Sequence, residues 1–89
     1  MSARVLLDSE GRADFDALPV AIQARVLAVF ERLRSWPQVS GAKPLRRAWK
    51  GRYRIRTGDW RVIFRVSQAD VVVVGIKHRS EAYEDRGEP

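Results

Sequence analysis

The sequence has no cysteine, a single histidine and a single methionine. Without cysteine there is no disulfide framework, no thiolate zinc site and no cysteine nucleophile. One histidine and few acidic clusters argue against a protein-built metal site. Long apolar runs are missing as well. The longest, Val26–Phe30, spans five residues, and the valine run Val71–Val74 four, far short of the roughly 20 that a membrane helix needs. The stretch MSARVLLDSEGR has no apolar segment of signal-peptide length, so a cytoplasmic protein with no membrane partner is expected. Length is scarce too. The 89 residues have room for one hydrophobic core, which excludes a two-domain enzyme and most multi-unit α/β cofactor folds. A single domain over residues 1–89, fraying from about residue 84, is expected, with no cofactor.

What the chain does have is positive charge, unevenly placed. Residues 1–40 carry five basic and five acidic side chains. Residues 41–79 carry eleven basic and two acidic, a net +9, and residues 80–89 carry a net −3. Fourteen of the 17 basic residues are arginine. Arginine offers a planar fork of donors that matches phosphate oxygens in pairs. Arg46, Arg47, Lys50, Arg52, Arg54, Arg56, Arg61 and Arg65 interleave with Trp49, Tyr53, Trp60 and Phe64. That pattern suits a phosphate-backbone surface with base-stacking aromatics. It equally suits a solvated strand face over an aromatic core.

Period and punctuation give the elements. Ala3–Leu7 reads as a short strand, and Asp8-Ser9-Glu10-Gly11 carries turn and helix-start chemistry. A short helix is predicted over about Arg12–Leu18. From Pro19, Ile22, Val26, Val29, Phe30 and Leu33 make one apolar stripe of a second helix, ended by Trp36-Pro37. Residues 37–50, with two prolines and Gly41, read as loop. The period then falls to 2: Arg52–Thr57 and Trp60–Val66 alternate, and Val71–Ile76 is apolar on both faces, as a central strand is. Gly58-Asp59 and Ser67–Asp70 are tight turns, so these three strands form an antiparallel meander. The expected class is α+β, in the order β-α-α-β-β-β. Two N-terminal helices pack on one face of a small antiparallel sheet.

The run LRRAWKGRYRIRTGDWRVIFRV, followed by VVVVGIKHRSEAY, resembles the RelE/ParE toxin superfamily of bacterial toxin–antitoxin systems. The resemblance rests on Leu45, Gly51, Gly58-Asp59-Trp60-Arg61 and Arg79-Ser80-Glu81-Ala82-Tyr83, together with a Leu-Pro before an amphipathic helix ending near Trp-Pro. It covers roughly residues 3–84. It implies a microbial-ribonuclease-like fold and a cognate antitoxin as partner. It also implies one of two activities: ribosome-dependent cleavage of mRNA, as in RelE-like members, or inhibition of DNA gyrase without catalysis, as in ParE-like members. A non-catalytic RNA-binding relative is a third possibility.

Metal-independent RNA cleavage by 2′-hydroxyl attack needs a proton acceptor, cations for the phosphoryl oxygens and an acid for the leaving oxygen. Carried over position by position, the resemblance implies Arg54, Arg56, Arg61, Lys77 or Arg79, and Tyr83 in these roles. Arg46, Arg47, Lys50 and Arg52 add phosphate or ribosomal RNA contacts. Arg61 and Arg79 would stabilise phosphate charge, or else simply face solvent. Tyr83 would stack on a base or bind the 2′-hydroxyl, or cap the core edge. Arginine stands at 54 and 56 where RelE has lysine, and it is a poor proton acceptor. His78 is then the candidate base on pKa grounds, although regular alternation sets it opposite Lys77 and Arg79. Lys50 and Lys77 are the remaining alternatives.

Overall fold

Alternation and turn chemistry dictate the sheet, and the first and last described strands meet on it. In the computed structural model, which describes residues 2–81, β1 is Arg4–Leu7, α1 Ser9–Asp16, α2 Val20–Leu33, β2 Lys43–Pro44, β3 Arg52–Thr57, β4 Trp60–Ser67 and β5 Asp70–His78. The sheet order is β1-β5-β4-β3-β2. The α+β class and the β3–β4–β5 meander match expectation. Two features differ from it. β1 pairs parallel with β5, with Arg4 opposite Asp70 and Leu7 opposite Val73, so the sheet is mixed. Part of the expected loop also forms a two-residue edge strand, Lys43–Pro44, against β3.

The turns follow from their residues. Thr57 and Trp60 are partners across Gly58-Asp59. Gly58 has φ +60°, the left-handed value that the first central residue of a type II′ hairpin takes. Gln68 takes φ +55° in the turn between Ser67 and Asp70, where a glycine would cost less. Arg4 forks onto Asp70 through Nε at 3.1 Å and Nη2 at 2.9 Å. This hydrogen bond from Arg4 holds the Asp70 carboxyl below its ordinary pKa.

α1 begins three residues before its expected start, because Asp8 caps it by accepting the Gly11 N–H at 2.8 Å. Past Leu7, β1 no longer covers the edge of β5, and α1 takes its place. Asp8 N–H donates to Val73 O at 3.1 Å. Asp14 Oδ2 accepts the Ile76 N–H at 2.9 Å. A side chain thus satisfies a strand donor that would otherwise lack a ladder partner.

Val26, Val29 and Leu33 of α2 are fully or almost fully buried against Ile55, Val62, Phe64, Val71 and Val73. Each such side chain contributes roughly 1.5–3 kcal/mol. Trp36, Tyr53 and Phe64 pack as an aromatic trio, with ring centroids 4.9 to 5.5 Å apart. The opposite sheet face carries only a small apolar cluster of Leu45, Ile63, Val72 and Val74 with Trp49 against it. No described helix is long and apolar enough to cross a membrane.

Candidate nucleic-acid interface

Period 2 sorts the basic strands. Tyr53 and Ile55 of β3 and Val62 and Phe64 of β4 belong to the helix-side core. Arg52, Arg54 and Arg56, with Arg61 and Arg65, therefore point to the uncovered face. The register sets Arg52 opposite Arg65 and Arg56 opposite Arg61, while Arg54 lies between Lys43 and Ile63. Like charges directly across a strand pair are unfavourable, so this face is built at a cost in stability that an anion would relieve. Arg54 is 6% exposed, and Arg52 lies 5.4 Å from the Trp49 ring centre in a cation–π contact. Arg46, Arg47 and Lys50 are exposed on the segment around a 3₁₀ turn, Arg47–Trp49. Arg47 there adopts φ +59°.

The cations converge where the meander turns. Arg56, Arg61 and Arg79 line one cleft of about 330 Å³, together with Gly58, Asp59 and Trp60. The Arg79 N–H donates to Asp59 O at 2.7 Å, which ties the chain after β5 to the β3–β4 turn. The Arg79 guanidinium lies 3.6 Å from Asp59 Oδ1, with both side chains more than half exposed. Such a pair contributes little in water and can open to admit another anion.

A β-bulge sets the end of β5. Ile63 pairs with Gly75 but Phe64 pairs with Val73, so Val74 is the extra residue. The bulge resets the alternation. Lys77 becomes the partner of Arg61, and His78 falls on the helix side opposite Trp60, its ring 5.0 Å from the indole. Lys77 then runs past Gly75, where a β-carbon would stand 3.3 Å from its Cε. Its Nζ reaches Asp14 at 3.0 Å and Glu10 at 3.2 Å. Partial burial works to lower the Lys77 pKa, but the hydrogen bonds and charges of Asp14 and Glu10 outweigh it and raise the value. Lys77 is thus a positive anchor for α1 and a poor proton acceptor.

His78 is tied up in a similar way. Ser80 N–H donates to His78 Nδ1 at 3.1 Å, and Ser80 Oγ lies 2.8 Å from the same nitrogen. An amide can only donate, so Nδ1 is the acceptor and the neutral ring carries its proton on Nε2. Neither nitrogen then offers an unoccupied lone pair to a 2′-hydroxyl. The His78 N–H donates to Glu81 Oε1. The structure thus gathers Arg56, Arg61 and Arg79, sets a half-buried Arg52 on the same sheet face, buries Arg54 there, and turns His78 and Lys77 to other partners. Tyr83 lies outside the described residues. No cluster of metal-ligating side chains occurs among the described residues.

A two-helix layer on one face of a mixed sheet, with arginines massed on the other, defines a small basic toxin fold of the RelE/ParE kind. The relatives agree. The chain matches the ParE toxin of the type II toxin–antitoxin system parDE over residues 7–83. It superimposes on the RelBE2 toxin–antitoxin complex of Mycobacterium tuberculosis at 29% identity and TM-score 0.78, over 89% of this chain and 100% of that one. It also matches an archaeal RelE–RelB complex from Pyrococcus horikoshii at 27% identity and TM-score 0.71, over 92% and 100% of the two chains. The isolated RelE toxin of E. coli shares the fold at 15% identity and TM-score 0.73, over 93% and 89%. A comparison with curated proteins gives no match. The chain belongs to the ParE toxin family of type II toxin–antitoxin systems.

Proposed function

We propose that this toxin is a ribosome-dependent, metal-independent endoribonuclease that cleaves mRNA in the cytoplasm and so arrests translation. The observation carrying this reading is the meeting of Arg56, Arg61 and Arg79 in one cleft at the end of an arginine-lined sheet face. Three guanidiniums around one phosphate match the charge that builds on its non-bridging oxygens during 2′-hydroxyl attack. Arg61 and Arg56, opposite each other, hold the reacting phosphate. Arg79, released from Asp59, stabilises the charge on the departing 5′ oxygen, which takes its proton from solvent. Arg52, Arg46, Arg47 and Lys50 hold flanking phosphates or ribosomal RNA, and the buried Arg54 adds positive charge beneath them. With His78 and Lys77 engaged elsewhere, the 2′ proton passes to solvent, and catalysis rests on charge stabilisation and on positioning supplied by the ribosome. Tyr83 is retained as the group that stacks on the exposed base.

A cognate antitoxin is the protein partner in this reading. The M. tuberculosis and P. horikoshii relatives, both toxin–antitoxin complexes, support it. An acidic segment laid on the arginine face would neutralise it.

The test is primer extension on mRNA after induction. Wild type should give discrete cuts within codons. Arg61→Ala should reduce cleavage on the order of 10²–10³-fold, the cost of losing one oxyanion donor, while still folding. The match to the ParE family favours a second reading, a gyrase inhibitor without catalysis. Induction of the DNA-damage response with intact mRNA would establish that reading and overturn the first.

A further inference from the structure

Among the first 40 residues, four of the five arginines are held within the molecule. Arg4 bonds Asp70, Arg12 bonds Asp16, Arg34 bonds Glu31, and Arg32 donates to Ser40 O at 2.7 Å. The fifth is Arg25 on α2. Among the described residues no hydrogen bond or ion pair engages its guanidinium. Its neighbours one turn away along the helix are Ala21, Ile22, Ala28 and Val29, so α2 itself supplies no carboxylate.

That guanidinium reaches the β3–β4 turn. Its Nη1 lies 2.8 Å from the point where a β-carbon on Gly58 would stand, so it rests over the β3–β4 turn. Gly58 lines the cleft of Arg56, Arg61 and Arg79. Glycine is favoured at 58 because φ is +60°; a β-carbon there would meet only the far end of the flexible Arg25 side chain, which can move aside. Burial does not hold the side chain there, since Arg25 is exposed.

We propose that Arg25 is a phosphate-binding residue of the same site. An RNA strand leaving the cleft crosses the glycine turn, and Arg25 takes the phosphate next to the one held by Arg56, Arg61 and Arg79. The phosphate track thus bends off the sheet face around its end and onto the helix layer. This inference rests on the RNA-cleaving reading above.

The test is the salt dependence of binding to a single-stranded oligoribonucleotide, measured by fluorescence anisotropy on the full chain. Each phosphate contact on a single strand contributes about 0.7 to the slope of log K against log salt. Arg25→Gln should lower that slope by about 0.7, and Arg25→Lys should keep the wild-type slope, because a point charge still releases the counterion. Arg61→Ala serves as the reference for the cleft. If Arg25→Gln leaves the slope unchanged while Arg61→Ala lowers it, Arg25 is not on the track and the inference fails alone. If Arg61→Ala also leaves it unchanged, the phosphate site itself fails.

Discussion

Replacing Gly11 with alanine sets two effects of opposite sign against each other. Alanine in a helix is favoured over glycine by about 0.8–1.0 kcal/mol, which alone would stabilise α1. A β-carbon at residue 11, however, would overlap the Val73 carbonyl oxygen and stand 3.0 Å from the carbonyl carbon. That obstacle is backbone of β5, between β1 and β4 in the sheet, and no rotamer change removes it. α1 must lift instead, at an overpacking cost of about 1–3 kcal/mol. The lift also stretches Asp8 N–H to Val73 O and Ile76 N–H to Asp14 Oδ2, each a bond of about 0.5–1.5 kcal/mol. The net expectation is destabilisation of roughly 1.5–4 kcal/mol. For a domain of this size that lowers Tm by roughly 6–30 °C. Thermal unfolding followed by far-UV circular dichroism, with urea melts to check that m is unchanged, measures it. A Tm equal to or above wild type would refute the close packing of α1 on β5.

Three further outcomes follow from other positions. Gln68→Gly relieves a left-handed residue in the β4–β5 turn and should raise stability by up to about 1 kcal/mol; a lower urea midpoint would show that Gln68 earns its place by other contacts. Lys77 has a raised pKa in the folded state. Its contribution to stability is therefore fully present below its ordinary value of 10.5 and lost as pH rises through the folded value. The stability gap between wild type and Lys77→Met should narrow only on that alkaline side, in urea melts at stepped pH. Finally, cleavage without a histidine base should keep the same pH–rate profile in wild type and His78→Gln; a profile that changes in the variant would restore His78 as the proton acceptor.

The elements that could be read from residues alone were those whose signals are local. The apolar stripe of α2 and the alternation of β3 and β4 each occupy one stretch of chain. The same alternation put Arg52, Arg54 and Arg56 on one face together. The parallel β1–β5 pair was not legible, because Val5 and Leu7 alternate identically in either orientation. The early start of α1 was hidden by Gly11, which reads as a turn residue until its contact with Val73 is known. The bulge at Val74 has no marker in a run of four valines, yet it decides which faces Lys77 and His78 take. The engagement of Lys77 depends on Asp14 and Glu10, more than sixty residues away. Arg25 escaped notice because nothing in α2 distinguishes it from a solvated helix arginine, and only the empty space at Gly58 connects it to the cleft.

The pairing of β1 with β5 bears on how the protein is made. Arg4 meets Asp70 and Leu7 meets Val73, so the first strand finds its partner only after the last has been synthesised. Contacts this distant along the chain close late. A ribosome that has translated the arginine strands but not β5 holds a chain with neither β1 nor α1 in place and no Arg79 in the cleft. The complete sheet comes into existence only once β5 has been made.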